Sequence, residues 1–479
     1  MNPRCSDPAA EPLLRLLAEQ ALSRAGGAPL VQGNAVSILK DAGEHFPAWL
    51  AAIHAASRSV HLENYIIADD EVGREFVTAL AAKSSEGVRV RLIYDWLGSF
   101  GVSRRLWQPL LDAGGEVRCF NRPRLASPLR WLTRDHRKML AVDGSIGFVT
   151  GLCLSRKWLG EPERGIPPWR DTGIELRGPG VAGIEKAFAQ MWGLAGPPLE
   201  GMDPAPPQAI AHVGDVALRI IPAEPNIARL YRLDQLIAVM ATRTLWLTDA
   251  YFLGAAPYVQ ALRAAALDGV DVRLLVPGTS DLKLLSSVSR AGYRPLLEAG
   301  VRVFEWNGSM LHAKAAVADG HWSRIGSSNL NLASWIGNYE LDVAIEDLAF
   351  ARSMEQMYED DLTNATEIVL DTRRRVCSAG RQAGAPRGAG SAGSATRSAA
   401  GLLRICNAVS AAIAGRRSLG AAESDVVLYA GLALLSLAIM GILWPYLIAL
   451  PLGLLALWSA VSLLFHARDL RAAERKRSR

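Results

Sequence analysis

Two copies of one polar triplet stand out in this sequence because their side chains could act together on a phosphate group. Each copy has the spacing H-x-K-x4-D and interrupts an apolar run, where unpartnered polar groups are costly to bury. The copies are His136, Lys138 and Asp143, and His312, Lys314 and Asp319. Lysine neutralises phosphate oxygens, and histidine can attack phosphorus or transfer a proton. If the two copies converge, one histidine can form a covalent intermediate while the other protonates the leaving oxygen.

The recurrence of the triplet argues against chance. A single histidine in an apolar run is more often a satisfied structural residue than a catalytic one. The chain has only eight His and eight Lys, so two matching triplets are an unusual coincidence. Alternate residues of a strand point to the same face, which predicts that each His and Lys lie side by side. Each Asp is expected either to tune a histidine or to hold local geometry.

The triplets belong to a longer internal repeat. SVHLENYII at 59–67 matches TLWLTDAYF at 244–252, and DHRKMLAVDG at 135–144 matches LHAKAAVADG at 311–320. Between these stretches, β-branched runs of strand length alternate with Ala- and Leu-rich helical stretches in both copies. This alternation predicts α/β units with extensive sheet pairing. A single long period indicates a duplicated domain and not a solenoid.

These motifs resemble the phospholipase D superfamily, and their wider spacing resembles its bacterial cardiolipin synthase branch. The resemblance extends from about Gly33 to Leu362. Three stretches carry it: GNAVSILKDAGEHFPAWLAAIHAA at 33–56, WRDTGIELRGPGV at 169–181 and HAKAAVADGHWSRIGSSNLNLASWIGNYELDVAI at 312–345. The resemblance implies an α/β fold of two duplicated phospholipase D-like lobes, each with a mixed sheet flanked by helices. It also implies a phosphohistidine mechanism at the lobe interface that needs no metal and no cofactor.

Roles follow from the resemblance for each matching residue of the two triplets. His136 would be the nucleophile and His312 the general acid and base, although the two halves are nearly interchangeable by sequence. Lys138 and Lys314 would clamp phosphate oxygens.

Three further residues of the second copy match the family pattern. Ser327 and Asn329, in the GSSN at 326–329, are expected to bind substrate. Glu340, in the NYE at 338–340, is expected to orient a catalytic histidine.

The first copy departs from the family pattern at one position. The family's first motif continues to Gly-Gly-x-Asn, whereas this chain reads TGLC at 150–153 and has Cys153 in place of the asparagine. A thiol is a poorer hydrogen-bond partner than an amide, so unequal phosphate binding by the two lobes is expected. Cys153 itself is predicted to be buried and inert.

Some polar features allow two interpretations. The first lobe has an insertion, NRPRLASPLRWLTR at 121–134, with four arginines among Leu and Trp. Arg130 and Arg134 would guide lipid head groups if this loop meets an anionic interface, and the alternative is an ordinary solvated loop. Glu63 and Asp249 would either contact a glycerol hydroxyl or serve a structural role.

The C-terminal part of the chain has a different composition. A run of forty residues, 426–465, lacks any formal charge and is broken by Pro445. About 20 apolar residues span a bilayer, so this run predicts a transmembrane helical hairpin. Basic residues flank both ends, which places both ends on the cytoplasmic side. The predicted order is a helical segment at 1–30, lobes at 31–205 and 206–372, a linker at 373–420, the hairpin at 426–465 and a basic tail at 466–479.

Four functions are compatible with a duplicated phosphate site. Transfer of a phosphatidyl group between phospholipids, forming cardiolipin and glycerol from phosphatidylglycerol, is the preferred interpretation. Hydrolysis of phospholipids uses the same intermediate, a nuclease fits the net charge of +5, and a non-catalytic lipid-binding protein requires both triplets to be idle. The nuclease would need a basic track with stacking aromatics, which the sequence lacks. The predicted partners are phospholipids and the bacterial inner membrane, with the catalytic lobes on the cytoplasmic side and no nucleic acid. Oligomeric state is left open.

Overall fold

The structure is a computed structural model that describes residues 10–123, 133–199, 207–281, 283–371, 376–379 and a few helical positions between 450 and 461. The chain divides into two compact units, 1–122 with 133–384, and 123–132 with 385–479. The predicted linker beyond 379, the hairpin and the basic tail lie outside the described residues, apart from exposed helical positions such as Leu454 and Leu457. Among the residues described, no helix has the length and apolar character needed to cross a bilayer.

The first lobe alternates strands and helices and then ends in an antiparallel meander. A helix, α1 (Ala10–Gly26), precedes it. Its elements are β1 (Val31–Lys40), α2 (Asp41–Ala55), β2 (Ser59–Asn64), α3 (Glu71–Ser85), β3 (Arg89–Asp95), α4 (Gln108–Asp112), β4 (Glu116–Phe120), β5 (Lys138–Val142), β6 (Ile146–Thr150), β7 (Thr172–Arg177) and α5 (Val181–Ala195).

The second lobe repeats this order and adds two edge strands. Its elements are β8 (Val216–Ala223), α6 (Arg229–Met240), β9 (Thr244–Thr248), α7 (Ala256–Leu267), β10 (Asp271–Pro277), α8 (Lys283–Glu298), β11 (Arg302–Trp306), β12 (Ala315–Ala318), β13 (Trp322–Gly326), β14 (Glu340–Glu346), α9 (Leu348–Leu362), β15 (Ala365–Leu370) and β16 (Val376–Ser378). The last strand lies in the stretch that the sequence predicts as linker.

One 16-stranded sheet connects the described parts of the two lobes. Its order is β16-β15-β11-β10-β9-β12-β13-β14-β8-β1-β7-β6-β5-β2-β3-β4. From the central β8–β1 pair outward, the two halves run through equivalent strands in the same order. The prediction of duplicated α/β lobes with mixed sheets is therefore confirmed.

Apolar packing holds the two lobes together as well as each lobe by itself. One buried cluster includes Met139 and Ile174 of the first lobe with Val317 and Val343 of the second, together with residues of α5 and α9. Two further clusters lie within single lobes, one around α2 and α3 and one around α6, α7 and β10. The lobes thus share a core, which fixes the strand ends that carry the polar triplets.

The triplets lie at equivalent places in the two halves of the sheet. β5 begins at Lys138, and the last residue of β2, Asn64, pairs with it. In the second lobe, Lys314 directly precedes β12, which pairs with β9 in the same antiparallel sense. We call this the site end of each lobe.

Candidate active site

The two catalytic histidine candidates are held by main-chain hydrogen bonds that cross between the lobes. The backbone N–H of His136 donates to Tyr339 O at 2.9 Å, and that of His312 donates to Arg170 O at 2.7 Å. Both histidines precede their strands, so their placement within a strand is wrong, although each histidine does lie beside its lysine as expected. Each histidine backbone is instead positioned by the opposite lobe.

A carboxylate from the opposite lobe also contacts each imidazole ring. His136 Nδ1 lies 2.9 Å from Glu340 Oε2, and His312 Nδ1 lies 2.8 Å from Asp171 Oδ2. Glu340 therefore orients a histidine, as the family pattern implies for it. A carboxylate on Nδ1 favours the proton there, which puts the lone pair of a neutral ring on Nε2. In His312, Lys314 Nζ lies 3.1 Å from that Nε2.

Asp171 is a functional residue that the sequence interpretation missed. It directly precedes β7, and Glu340 is the first residue of the equivalent strand, β14. Aligning WRDT at 169–172 with NYEL at 338–341 would have matched the two carboxylates. That alignment was available from the repeat itself, and it is the signal that could have revealed Asp171.

The two carboxylates have different supports in the two lobes. Ser327 Oγ donates to Glu340 Oε2 at 2.6 Å, so its hydroxyl supports Glu340. Its contact with substrate stays a prediction. Asp171 Oδ2 instead accepts a hydrogen bond from Trp158 Nε1 at 3.1 Å. The residue equivalent to Ser327 is Gly151, where an added Cβ would lie 2.5 Å from Asp171 Oδ1. Only glycine fits against Asp171 there.

Both lysines are fully buried close to the histidines. Lys314 Nζ lies 2.8 Å from Nδ1 of His312, and Lys138 Nζ donates to the carbonyl of His136. Burial, which penalises the charged form, lowers the pKa of Lys138 and lowers the pKa of Lys314 to about 8. Repulsion from the charge of Lys138 also lowers the pKa of Lys314. Both lysine charges lower the pKa of each histidine. The four side chains therefore belong to one electrostatic site.

Burial dominates the protonation of the two histidines. It lowers the pKa of His136, with Glu340 opposing the change. For His312, burial and the Lys314 charge lower the pKa to about 4 despite Asp171. For the two carboxylates, burial would raise the pKa, but the neighbouring histidine and lysine outweigh it. The pKa of Glu340 and that of Asp171 therefore lie below their usual range. At neutral pH the site thus holds neutral imidazoles and ionised carboxylates.

Aromatic rings enclose the two histidines unequally. The centroid of the Tyr65 ring lies 4.9 Å from that of His136. The rings of Trp158, Trp169 and Tyr251 surround His312 at 5.3, 5.7 and 5.9 Å. The more open position of His136 is consistent with a nucleophile that must reach phosphorus.

The triplet aspartates lie away from this site. Asp143 accepts the backbone N–H groups of Ser57, Arg58 and Ser59, at 2.7–2.9 Å. Asp319 does the same for Thr242, Arg243 and Thr244, also at 2.7–2.9 Å. Both aspartates have positive φ in the hairpin turns that end β5 and β12. The two strands, of five and four residues, place the aspartates roughly 13–17 Å from the histidine end. Treating them as catalytic is therefore wrong, and local geometry is their role.

Asn329 and Cys153 occupy equivalent positions and differ in chemistry. Asn329 is 4% exposed, and its Oδ1 has no hydrogen-bond partner among the described residues. Cys153 is 1% exposed. Burial raises the pKa of its thiol, although the charges of Lys138 and Lys314 oppose this increase. The two equivalent positions therefore differ in chemistry, with an amide oxygen on one side and a neutral thiol on the other. Unequal phosphate binding by the two lobes stays a prediction.

The remaining candidates have structural surroundings. Asp249 accepts the backbone N–H of Leu330 at 2.8 Å and of Tyr251 at 3.1 Å, which supports its structural interpretation. Glu63 is fully buried in β2, and burial and the neighbouring Asp135 carboxylate raise its pKa well above the usual value. Arg134 is 7% exposed and donates to Asp95 Oδ1 at 3.2 Å, so its prediction as a lipid guide is wrong. Arg130 lies outside the described residues.

Hydrogen bonds from two arginine side chains connect the lobes around the site. Arg170 donates to both Asp361 oxygens in α9, at 2.8 and 2.9 Å, and to Asp41 at 3.2 Å. From the first lobe, Arg137 donates to the backbone carbonyl of Glu340 at 3.1 Å. These contacts fix the distance between the two histidine segments, which a displacement at phosphorus between two imidazoles requires.

Comparisons with known proteins agree with this geometry. The family described as "Cardiolipin synthase, PLD-like domain" matches residues 49–162 and 235–362. Cardiolipin synthase A of Pseudomonas fluorescens (strain SBW25) is 35% identical over 365 residues, which cover 74% of each chain. Cardiolipin synthase of Geobacillus sp. (strain WCH70) is 32% identical over 360 residues, covering 74% of this chain and 71% of the relative.

A solved structure shares the fold at low sequence identity. Phosphatidylserine synthase of Haemophilus influenzae Rd KW20 aligns with a TM-score of 0.59 at 14% identity, covering 75% of this chain and 93% of that chain. The two matched family segments contain both histidine–lysine pairs. On this evidence, the chain belongs to the cardiolipin synthase family of phospholipase D-like proteins.

Proposed function

We propose that this chain transfers a phosphatidyl group from one phosphatidylglycerol molecule to another, forming cardiolipin and releasing glycerol. Membership of the family makes the chain a phospholipase D-type phosphatidyltransferase. The crosswise pairing of His136 with Glu340 and of His312 with Asp171 carries the proposal, because it holds two imidazoles by their Nδ1 atoms beside two buried lysines. Phosphatidylglycerol as the substrate rests on the names of the relatives.

The first chemical step is a displacement at phosphorus. In the proposed step, Nε2 of His136 attacks the phosphodiester, a phosphorus–nitrogen bond forms, and the phosphorus–oxygen bond to the head-group glycerol breaks. His312 gives its proton to the leaving glycerol oxygen. Lys138 and Lys314 neutralise the non-bridging oxygens as their charge grows in the transition state.

The second step reverses the proton movement and restores the enzyme. The now neutral His312 takes the proton from a glycerol hydroxyl of a second phosphatidylglycerol. That oxygen attacks phosphorus, the phosphorus–nitrogen bond breaks, and cardiolipin leaves with His136 free again. Splitting one displacement into two easier ones is the advantage of a covalent intermediate.

The lowered pKa of His312 has a consequence for the first step. This residue loses its proton above about pH 4, because it is buried and faces Lys314. A bound phosphodiester brings a negative charge, which favours the protonated imidazole. We therefore expect substrate binding to raise the pKa of His312 and so favour its protonated form.

We further propose that the chain is anchored in the bacterial inner membrane by the uncharged run at 426–465, with the lobes on the cytoplasmic side. The basic residues on both sides of the run support a hairpin with both ends inside. Removal of residues 425–479 should lower recovery of the protein with membranes and leave turnover of detergent-dispersed substrate intact. Loss of both would indicate a structural role for the segment.

The central experiment supplies purified full-length protein with phosphatidylglycerol labelled at phosphorus, in the presence of a chelator. Cardiolipin as product supports the transferase, whereas phosphatidic acid would indicate hydrolysis and no product would contradict both. His312 also protonates the leaving glycerol, so the search for the intermediate uses a labelled phosphatidyl ester of 4-nitrophenol, a leaving group that needs no proton. With this substrate, His312→Ala should accumulate label on the protein as an acid-labile phosphohistidine, and His136→Ala should not. His54→Ala, which changes an exposed histidine of α2, is the matched control. Label on the His136 variant alone would reverse the two roles.

A further inference from the structure

We propose that the loop after β3, residues 96–105, docks on the surface of an anionic phospholipid bilayer beside the active site. We call this segment, WLGSFGVSRR, the β3 loop. The inference rests on the proposed function, because the lipid that reaches the site must leave a bilayer. It adds a docking surface on the first lobe, separate from the C-terminal run.

The β3 loop exposes large apolar side chains from an ordered backbone. Phe100 is 70% exposed and Leu97 is 41% exposed. The Trp96 ring packs edge-on against Phe100 at 5.2 Å, so the two rings form one apolar projection. Asp95 Oδ1 accepts the backbone N–H groups of Leu97 at 2.8 Å and Gly98 at 3.1 Å, which fixes the turn. The exposure therefore belongs to a defined conformation.

The charges around this projection are positive. Arg104 and Arg105 are exposed at the end of the loop, and the sequence has no Asp or Glu between Asp95 and Asp112. Among the described residues, no carboxylate forms a salt bridge with either arginine. Arg122, just beyond the next strand, is also exposed. Burial raises the pKa of the Cys119 thiol, and the positive charges of Arg122 and Arg104 both oppose that increase. Aromatic and aliphatic side chains beside arginines match the boundary between acyl chains and anionic head groups.

The β3 loop is attached directly to the catalytic segment. β3 runs parallel to β2 and therefore ends at the site end of the lobe. Asp95, its last residue, accepts the backbone N–H of Asp135 at 3.0 Å, and Asp135 immediately precedes His136. A bilayer in contact with Phe100 is thus adjacent to the entrance that a lipid phosphate must use.

The described residues that follow the equivalent strand of the second lobe are polar. Its β10 ends at Pro277 and continues as GTSDL at 278–282, where Asp281 accepts a hydrogen bond from Tyr251. The described residues of this turn, 278–281, include no large apolar side chain.

The experiment compares two substrates for each full-length variant: anionic vesicles of long-chain phosphatidylglycerol, and short-chain phosphatidylglycerol below its micelle concentration. The double variant Leu97→Ser with Phe100→Ser should lower the vesicle rate about tenfold, the factor expected when a buried Phe side chain is lost from an apolar environment. Its rate with monomeric substrate should be unchanged. Phe100→Leu should retain the vesicle rate.

A matched control and a charge variant complete the test. Leu267, at the far end of α7, is also 70% exposed, and Leu267→Ser should change neither rate. Arg104→Gln with Arg105→Gln should lower the rate on anionic vesicles and have no effect on vesicles diluted with zwitterionic lipid at high salt. An equal loss on monomeric substrate would overturn the proposal, because the loop would then support the site or pack on another part of the chain. An unchanged vesicle rate would overturn it as well.

Failure of the proposed function can be told apart from failure of this inference. If the unsubstituted chain transfers phosphatidyl groups from neither substrate, the proposed function fails. The β3 loop is then judged by co-sedimentation of the same variants with anionic vesicles, where weaker binding of the Leu97 and Phe100 double variant than of Leu267→Ser supports the docking surface and equal binding contradicts it.

Discussion

His136 Nδ1 lies 2.9 Å from Oε2 of Glu340, a carboxylate 204 residues away in the other lobe. The same relationship, reversed between the lobes, joins His312 to Asp171 at 2.8 Å. Each lobe therefore supplies an imidazole to the site and the acidic partner of the other lobe's imidazole. The site is complete only when the two lobes are packed as they are here.

Replacement of Glu340 by glutamine should lower kcat by about 100-fold or more, the range that a positioned proton-transfer group supplies. Glutamine keeps the shape but removes the charge that orients His136 and stabilises its charged form. Steady-state kinetics would measure the loss, and an unchanged unfolding temperature would show that the fold is intact. Glu367→Gln, on β15 beside the edge strand β16, is the control of the same chemical kind. A loss below about threefold would remove Glu340 from the mechanism.

Stability should fall as the pH is lowered from 6.5 to 4, in part because of His312. The folded pKa of His312 is about 4 and the unfolded value is 6.5, so in this window the unfolded chain binds more protons. The contribution is fully present above pH 6.5, and its complete loss amounts to on the order of 3 kcal/mol. Denaturant midpoints measured across this range test the prediction. His312→Gln should flatten the curve, whereas the same steepness in the variant would contradict it.

Asp143→Ala and Asp319→Ala should destabilise the protein without a specific effect on chemistry. Each carboxylate accepts backbone N–H groups from three successive residues, so removal leaves those donors unsatisfied. We expect a loss of about 2–4 kcal/mol in the free energy of unfolding. The yield of covalent adduct per folded molecule should stay at the wild-type value. Asp112→Ala, on the short helix α4, is the control, and a folded but inactive Asp319 variant would contradict the structural role.

Cys153→Ala should leave KM within about threefold of the wild-type value, because a neutral thiol is a weak hydrogen-bond partner. The thiol is 1% exposed, and burial raises its pKa, so maleimide reagents should not inactivate the folded enzyme. Cys119→Ala serves as the control. A loss of more than about tenfold in kcat for the Cys153 variant would place the thiol in the reaction itself.

The repeated triplet and the duplicated α/β order could be predicted because both leave a period in the sequence. His136 and His312 recur 176 positions apart within flanks that match. The pairing of each histidine with a carboxylate of the other lobe could not be predicted in the same way. Asp171 and Glu340 reach the histidines only because the lobes pack face to face, and that packing depends on a shared apolar core.

The misplacement of the triplet aspartates has a different origin. Their regular spacing from the histidines suggested a common site, yet a strand rises about 3.3 Å per residue. Since β5 and β12 separate Asp143 and Asp319 from the lysines, the spacing itself implies the opposite end of each strand. The motif therefore combines a reactive pair with a hairpin support, and strand geometry alone would have distinguished them.

The exchange of carboxylates between the lobes also limits how this chain can evolve. A mutation at Asp171 would change the environment of His312, which belongs to the other copy of the duplicated unit. The two halves must consequently diverge in concert, and a gene fragment encoding a single half could regain activity only by borrowing its acidic partner from a second molecule.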